Sequence, residues 1–481
     1  MARISFGKNL WTISMLGALA TASFLLGSPA YAKIFDVKNY GAKGDGVTDD
    51  SVAIDNAVVA ASSKLGNTVY FPDGTYLLGN ARPHGVAVGT PMILQGGSNA
   101  VLEMSGSDSQ LFLSSERITV DKLIIANAGS GADSGAVFFA ARDCSIKNCT
   151  FTGWTNGVAV NGTTGMAVDN NTFFMPKSET GVLVQGDSTV AIASCNFNSQ
   201  AANYGYGVYS DVTNNTITIK GSHFDKLGYG VYASSGGVGS IQSSNNMFDS
   251  CYYGFDCFSI NSLKVDNDTI NLATYGVYGR EINTMQVANC RINSPSTYGV
   301  DADSSQTIEV SNNTITGIGG AYGISVGGNA TVTNNRLTGL GFDSGLGIYA
   351  YSPLSGRPTV KVTGNTISGV RYGVETNQIQ SLIAENNLIT EIRLCGIYAY
   401  GDINDTIEKN DLRDCGLASG AYAVIYVNGF NASNVSYVVT DNTYTAKNAS
   451  NPNLSYFVYV HGPQGTVVKD NKTNTMLPSF P

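Results

Sequence analysis

The side chains with the most suggestive spacing follow a series of regularly placed glycines in the middle of the chain. Two residues after each glycine come Tyr209, Tyr232, Asp256, Tyr278, Asp301, Ser325, Tyr349, Glu375 and Tyr398. Two further on stand Asp211, Arg280, Asp303, Tyr351, Asn377 and Tyr400. In an extended strand both sets point to one face. Tyrosines, carboxylates and a guanidinium on a flat face suit sugars, because rings stack on Tyr while carboxylates accept hydroxyl hydrogen bonds. Two carboxyls can also do chemistry there, one protonating a glycosidic oxygen while the other activates water. If successive glycine-headed segments are neighbouring strands about 4.8 Å apart, the backbones of Asp256 and Asp301 are roughly 9–10 Å apart. With side chains leaning together, that overlaps the window of about 6.5–9.5 Å for inverting glycoside hydrolysis. The candidate catalytic set is therefore Asp256, Asp301, Asp303 and Arg280. Candidate sugar contacts are Tyr232, Tyr253, Tyr278, Tyr349 and Glu375, the last too far along to pair with Asp301. An ordinary solvated acidic surface is the competing reading of the same residues.

A second chemistry draws on the same face. A polysaccharide lyase or epimerase neutralises a uronate carboxylate, often with Ca2+, and removes the C5 proton. Asp256, Asp301 and Asp303 would supply hard oxygen ligands, with Arg280 or Tyr278 as base. Apart from that calcium, no cofactor is expected. His84, His223 and His461 are scattered, and the eight cysteines show no CxxC spacing, so they read as small buried residues rather than metal ligands or a disulfide framework. A third reading is a glycan-binding or surface-matrix protein that holds chains without cutting them.

The elements that position these residues are repeats. Glycines 135, 157, 181, 207, 230, 254, 276, 299, 323, 347, 373 and 396 follow one another at steps of 22 to 26 residues. Such a period marks a solenoid. Later in each repeat one slot is filled by Asn171, Asn246, Asn313, Asn335, Asn365, Asn387, Asn410 or Asn442, and elsewhere by Cys149, Cys195, Ser222, Asp268 or Cys290. An amide recurring at one position can bond to its counterparts above and below. The intervening segments alternate with period two, which indicates strands and a parallel β-helix. A second tyrosine column, including Tyr206, Tyr229, Tyr253, Tyr275, Tyr298 and Tyr322, reads as an aromatic ladder at a turn. Insertions at 352–358 and within 422–447 are candidate walls beside the acidic face.

The whole composition agrees. The 481 residues include 56 Gly and 26 Tyr but only 13% charged residues, as expected of many short strands and tight turns. A formal net charge of −9 argues against nucleic acid as partner. A basic start (Arg3, Lys8), an apolar run and the Ala30-Tyr31-Ala32 exit predict a signal segment over 1–32, hence a secreted or periplasmic protein with no other membrane-spanning stretch.

The stretch Ile34-Phe35-Asp36-Val37-Lys38-Asn39-Tyr40-Gly41-Ala42-Lys43-Gly44-Asp45-Gly46-Val47-Thr48-Asp49-Asp50, followed by Ala53-Ile54-Asp55-Asn56-Ala57 and Tyr70-Phe71-Pro72-Asp73-Gly74, resembles the opening of the pectate-lyase-type β-helix superfamily. That superfamily holds polygalacturonase-like hydrolases, alginate-epimerase-like enzymes and tailspike depolymerases. The resemblance implies an all-β, right-handed parallel β-helix with a small N-terminal α-helical cap, and a polysaccharide as partner. Thr48 or Asp49 is expected to cap a helix reaching about Ser63, with Val52, Ala53, Ala57, Val58 and Ala61 covering the open end of the solenoid. The cap acids Asp45, Asp49 and Asp50 read as structural. Polygalacturonase signature motifs are absent as a set. Tyr253-Gly254-Phe255-Asp256 is similar to the start of the alginate-epimerase motif, but Cys257-Phe258-Ser259 replaces its Pro-His-Glu, so the family's proton-transferring His is missing. The expected layout is a signal over 1–32, cap and first coils over 33–134, coils over 135–475 and a tail over 476–481, with the oligomeric state left open.

Overall fold

The computed structural model describes residues 32–480 except 80–85, 105–110, 128–134, 176–178, 201–203, 212–213, 235, 237–238, 321, 342–344, 354–355, 430–434, 448–452 and 463–465. The expected signal segment therefore lies, Ala32 aside, outside the described residues. Each coil lays down three short strands, as in Thr216–Lys220, His223–Asp225 and Leu227–Ser234. Each strand pairs in parallel with its counterpart one coil on, for example Ile217 with Ile241, Phe224 with Phe248 and Val231 with Phe255. Three long parallel sheets result, the first with 18 strands among the described residues. At about 4.8 Å per strand this is a right-handed β-helix roughly 80 Å long. No described helix is long and apolar enough to cross a membrane.

The corner between the first and second sheets explains the recurring Asn-Asn pair. The first asparagine takes the left-handed conformation (Asn148, Asn170, Asn245, Asn267, Asn289, Asn312, Asn334 and Asn386, φ 52–57°), which Asn tolerates better than most residues. The second enters the ladder. The Asn335 N–H donates to Asn365 Oδ1, and the Asn365 N–H to Asn387 Oδ1, each at 2.9 Å. Asn365 Nδ2 also donates to the Val332 carbonyl, 2.9 Å away. Cys149, Cys195, Ser222, Asp268 and Cys290 occupy the slot as expected, and Asn471 extends the ladder one coil further. All eight cysteines are buried and free.

Packing accounts for the repeat glycine. Inside the solenoid Phe151, Phe173, Phe197, Phe224 and Phe248 stack with ring centroids 4.6–4.8 Å apart. A Cβ on Gly230 would lie 2.6 Å from the Phe248 ring and 2.7 Å from the Gly254 carbonyl oxygen. No side chain fits at that corner, so the period is written in glycine.

The cap differs from expectation in phase. Its helix is Ser51–Ala61, with Asp50 at the N-cap position. Asp49 Oδ1 accepts from the Ser51 N–H and hydroxyl, while the Asp50 carboxylate accepts from the Lys43 and Gly44 N–H groups. The helix thus starts after Asp50 and ends at Ala61, where the Ser62 and Ser63 hydroxyls turn back onto helix carbonyls. Ile54, Ala57, Val58 and Ala61 face inward, whereas Val52 is 54% exposed. Within the last six residues Ser479–Phe480 adds a strand against Val458 and Tyr459.

Candidate active site

The outward column of the third sheet is in unbroken register. Tyr209, Tyr232, Asp256, Tyr278, Asp301, Ser325, Tyr349 and Glu375 are successive cross-strand neighbours. Alongside, Phe258, Arg280 and Asp303 are neighbours in the same way. Asp256 and Asp301 therefore stand on second-neighbour strands with Tyr278 between them, as the spacing predicts.

Their surroundings differ. Asp301, although on the outward face, is only 7% exposed, and its Oδ1 has no hydrogen-bond partner among the described residues. Burial pushes its carboxyl up to about 7, a Ser325 hydrogen bond opposes the rise, and the Asp303 charge adds to it. Asp256 is half-buried. Burial raises it to about 6, with the Arg280 charge pulling the other way. Asp303 is tied down, its Oδ1 accepting from the Tyr351 hydroxyl at 2.7 Å and the Ser304 hydroxyl at 2.9 Å. Tyr351 comes from two coils on. It crosses the intervening coil over Gly327, where a Cβ would lie 2.7 Å from the ring. That missing side chain lets the tyrosine reach the acids, and burial with the Asp303 and Asp301 charges raises its own hydroxyl pKa.

Arg280 is exposed, its guanidinium 4.4 Å from the Phe258 ring centroid. Tyr278 sits between the two acids and tilts against Tyr253 and Tyr275. Tyr232 stacks on Tyr209 at 5.1 Å on the coil before Asp256. Tyr253 belongs to the ladder: its two faces are taken by Tyr229 at 5.1 Å and Tyr275 at 4.5 Å, so it offers edge and hydroxyl rather than a stacking face. Tyr349 pairs with Tyr351 at 5.5 Å. Glu375, three coils beyond Asp301, is raised by burial and lowered by Arg371, and stands apart from the carboxylate pair. Among the described residues no three His, Cys, Asp or Glu side chains gather as a metal site.

The spacing did not disclose Ser325, Gly327 or Tyr351 as determinants of the site. Tyr351 was visible in the outward column, but its reach across Gly327 depends on three coils at once. The described residues of the two insertions lie away from the acid pair, Arg357 of the first donating to the Gly401 carbonyl oxygen. Tyr351 precedes the first, and Tyr422 in the second lies against Tyr426 and Tyr459. The recess near Arg393, Glu391, Asp414 and Lys447 is elsewhere, and Lys447 there pairs with both acids.

Residues 34–256 match the family described as rhamnogalacturonase A/epimerase, pectate lyase-like, and 206–354 with 319–473 match the right-handed β-helix region. The chain belongs to the pectate-lyase-like, right-handed β-helix superfamily. Among curated relatives it is 58% identical over 43 residues to plasmin and fibronectin-binding protein A of Streptococcus pneumoniae, 9% of this chain and 6% of that protein. It is 55% identical over 42 residues to mannuronan C5-epimerase AlgE6 of Azotobacter vinelandii, 9% of this chain and 5% of that one. The chain thus spans about a twentieth of these relatives. In solved structures it resembles the S. pneumoniae adhesin PfbA (17% identity, 80% of this chain and 90% of that one, TM-score 0.43). It also resembles the catalytic unit of an α-1,3-glucanase from Streptomyces thermodiastaticus (14% identity, 92% and 71%, TM-score 0.42). At these identities the resemblance is one of fold.

Proposed function

We propose that this is an exported protein that cleaves a polysaccharide by inverting glycoside hydrolysis. A covered and a half-buried carboxyl on second-neighbour strands of one sugar-compatible face carry the reading. Asp301, whose burial keeps it protonated to near neutral pH, donates its proton to the glycosidic oxygen as the C1–O bond breaks. Asp256, the more easily ionised beside Arg280, takes a proton from the water whose oxygen bonds to C1 from the opposite face. Asp303 and Tyr351 hold the acid's surroundings in place. Tyr232, Tyr278 and Tyr349 present rings and hydroxyls to sugars on either side of the cut. No step here requires a metal.

The test is incubation with neutral and acidic polysaccharides, with and without EDTA, using wild type, Asp256→Asn and Asp301→Asn. New reducing ends from wild type alone, without ultraviolet-absorbing products and insensitive to EDTA, are expected. Full activity in both variants overturns the assignment. The pectate lyase-like family match and the Tyr253-Gly254-Phe255-Asp256 segment favour a second reading, a uronate lyase or epimerase with calcium at the acids. Unsaturated uronate products, or C5 inversion without cleavage, would establish that reading instead. Binding without cleavage would mark a glycan-binding protein.

A further inference from the structure

Beyond Glu375 the outward column runs on as Tyr398, Tyr426 and Tyr459, again successive cross-strand neighbours. Their rings stack at 5.0 and 5.4 Å. The lengthened turn before the strand Ala423–Asn428 brings Tyr422 against this column almost at right angles, 5.1 Å from Tyr459 at 78° and 6.4 Å from Tyr426 at 71°. Leu394 and the buried Cys395 join them, and the corner so formed borders an open recess of about 420 Å³. None of its lining side chains is charged.

This corner differs from the ladder through Tyr206–Tyr322. There the rings lie nearly parallel at 4.5–5.7 Å, and each covers the next. At the corner Tyr422 stands across the stack, backed by Tyr456 at 5.2 Å, which also tilts against Tyr459 at 5.3 Å, so the rings meet at angles and leave a recess between them. A ring-lined, uncharged recess of this kind takes the apolar face of a pyranose while phenol hydroxyls reach its hydroxyl groups.

We propose that the Tyr398–Tyr422–Tyr426–Tyr459 corner is a distal binding site for a neutral sugar unit of the same polysaccharide that reaches Asp256 and Asp301. The inference rests on the polysaccharide reading above. Continuity of the column carries it, since Tyr426 is five strands from Asp301, about 24 Å along the solenoid axis. A long chain lying parallel to that axis occupies both places, and a short oligosaccharide at the acids does not. The site therefore makes affinity depend on chain length without touching the bond that breaks.

The test is native electrophoresis of the full chain through gels containing dextran, curdlan, xylan, polygalacturonate or alginate, from which a dissociation constant is read. At least one neutral polysaccharide is expected to slow the wild type. Tyr422→Ala and Tyr459→Ala should each bind it about tenfold more weakly, the effect of losing one stacked ring. Tyr422→Phe and Tyr459→Phe keep the ring and should lose clearly less affinity than the alanine variants, which separates lost stacking from lost folding. Alanine variants that bind normally, phenylalanine variants that lose as much as alanine, or retardation by none or only the acidic polymers would overturn the proposal. If Asp301→Asn still cleaves while Tyr422→Ala loses retardation, the hydrolase assignment fails and the distal site stands.

Discussion

Replacing Asp301 by asparagine should make the protein inactive and, at alkaline pH, more stable. The carboxyl is 7% exposed and raised from 3.8 to about 7 by burial. A group whose pKa is raised in the fold favours the folded state below its unfolded value, and that contribution is lost as pH rises through the folded value. The difference of about three units, at about 1.4 kcal/mol each, makes wild type roughly 4 kcal/mol less stable at pH 8 than a neutral group of the same shape would make it. Asparagine is that neutral group. For a chain of 481 residues, 1 kcal/mol corresponds to about 1 °C in Tm. The expected result is an Asp301→Asn melt about 4 °C above wild type at pH 8, converging with it near pH 4.

Activity should move the opposite way. Loss of a positioned general acid costs about 10³ in rate. Reducing-end release measures the rate, and calorimetric melts from pH 4 to 8 measure the stability. A melting difference that does not vary with pH would refute a covered, protonated Asp301. Activity within threefold of wild type would refute its role as acid. The paired result, a more stable but inactive protein, marks a residue kept for chemistry against the interest of the fold.

Four further outcomes are expected. The pH–rate profile should be narrow, rising through about 6 as Asp256 ionises and falling through about 7 as Asp301 does, with the two limbs belonging to the pair. Arg280→Met removes the charge that lowers Asp256 and should move the acid limb to higher pH; Asp303→Asn removes the charge that raises Asp301 and should move the alkaline limb to lower pH. Asn365→Ala strips the Asn335 N–H and the Val332 carbonyl of buried partners and should cost about 3–5 kcal/mol by urea denaturation, with catalysis per folded molecule unchanged. Gly230→Ala forces a methyl against Phe248 and the Gly254 carbonyl and should lower the melt while sparing the pH profile.

The columns were legible because a near-constant repeat length maps residue onto residue. Once Gly254, Gly276 and Gly299 head neighbouring strands, Asp256, Tyr278 and Asp301 must be neighbours, and period-two alternation decides that they face outward. The asparagine ladder was legible for the same reason. What stayed hidden depends on contacts that cross the repeat. The helix phase turned on which of Asp49 and Asp50 holds the Ser51 N–H and which folds back to Lys43. The hydroxyl held on Asp303 turned on a tyrosine two coils away and a glycine between them. The tyrosine corner turned on an insertion, which has no counterpart in the neighbouring coils to set its register. The frame is thus specified by inward residues and corner amides that recur, and the chemistry by outward residues that do not. Exchanging Asp256, Asp301 or Gly327 would leave the solenoid's ladder and aromatic stack in place and change what the face can do, so here the function must be read from the exceptions to the repeat.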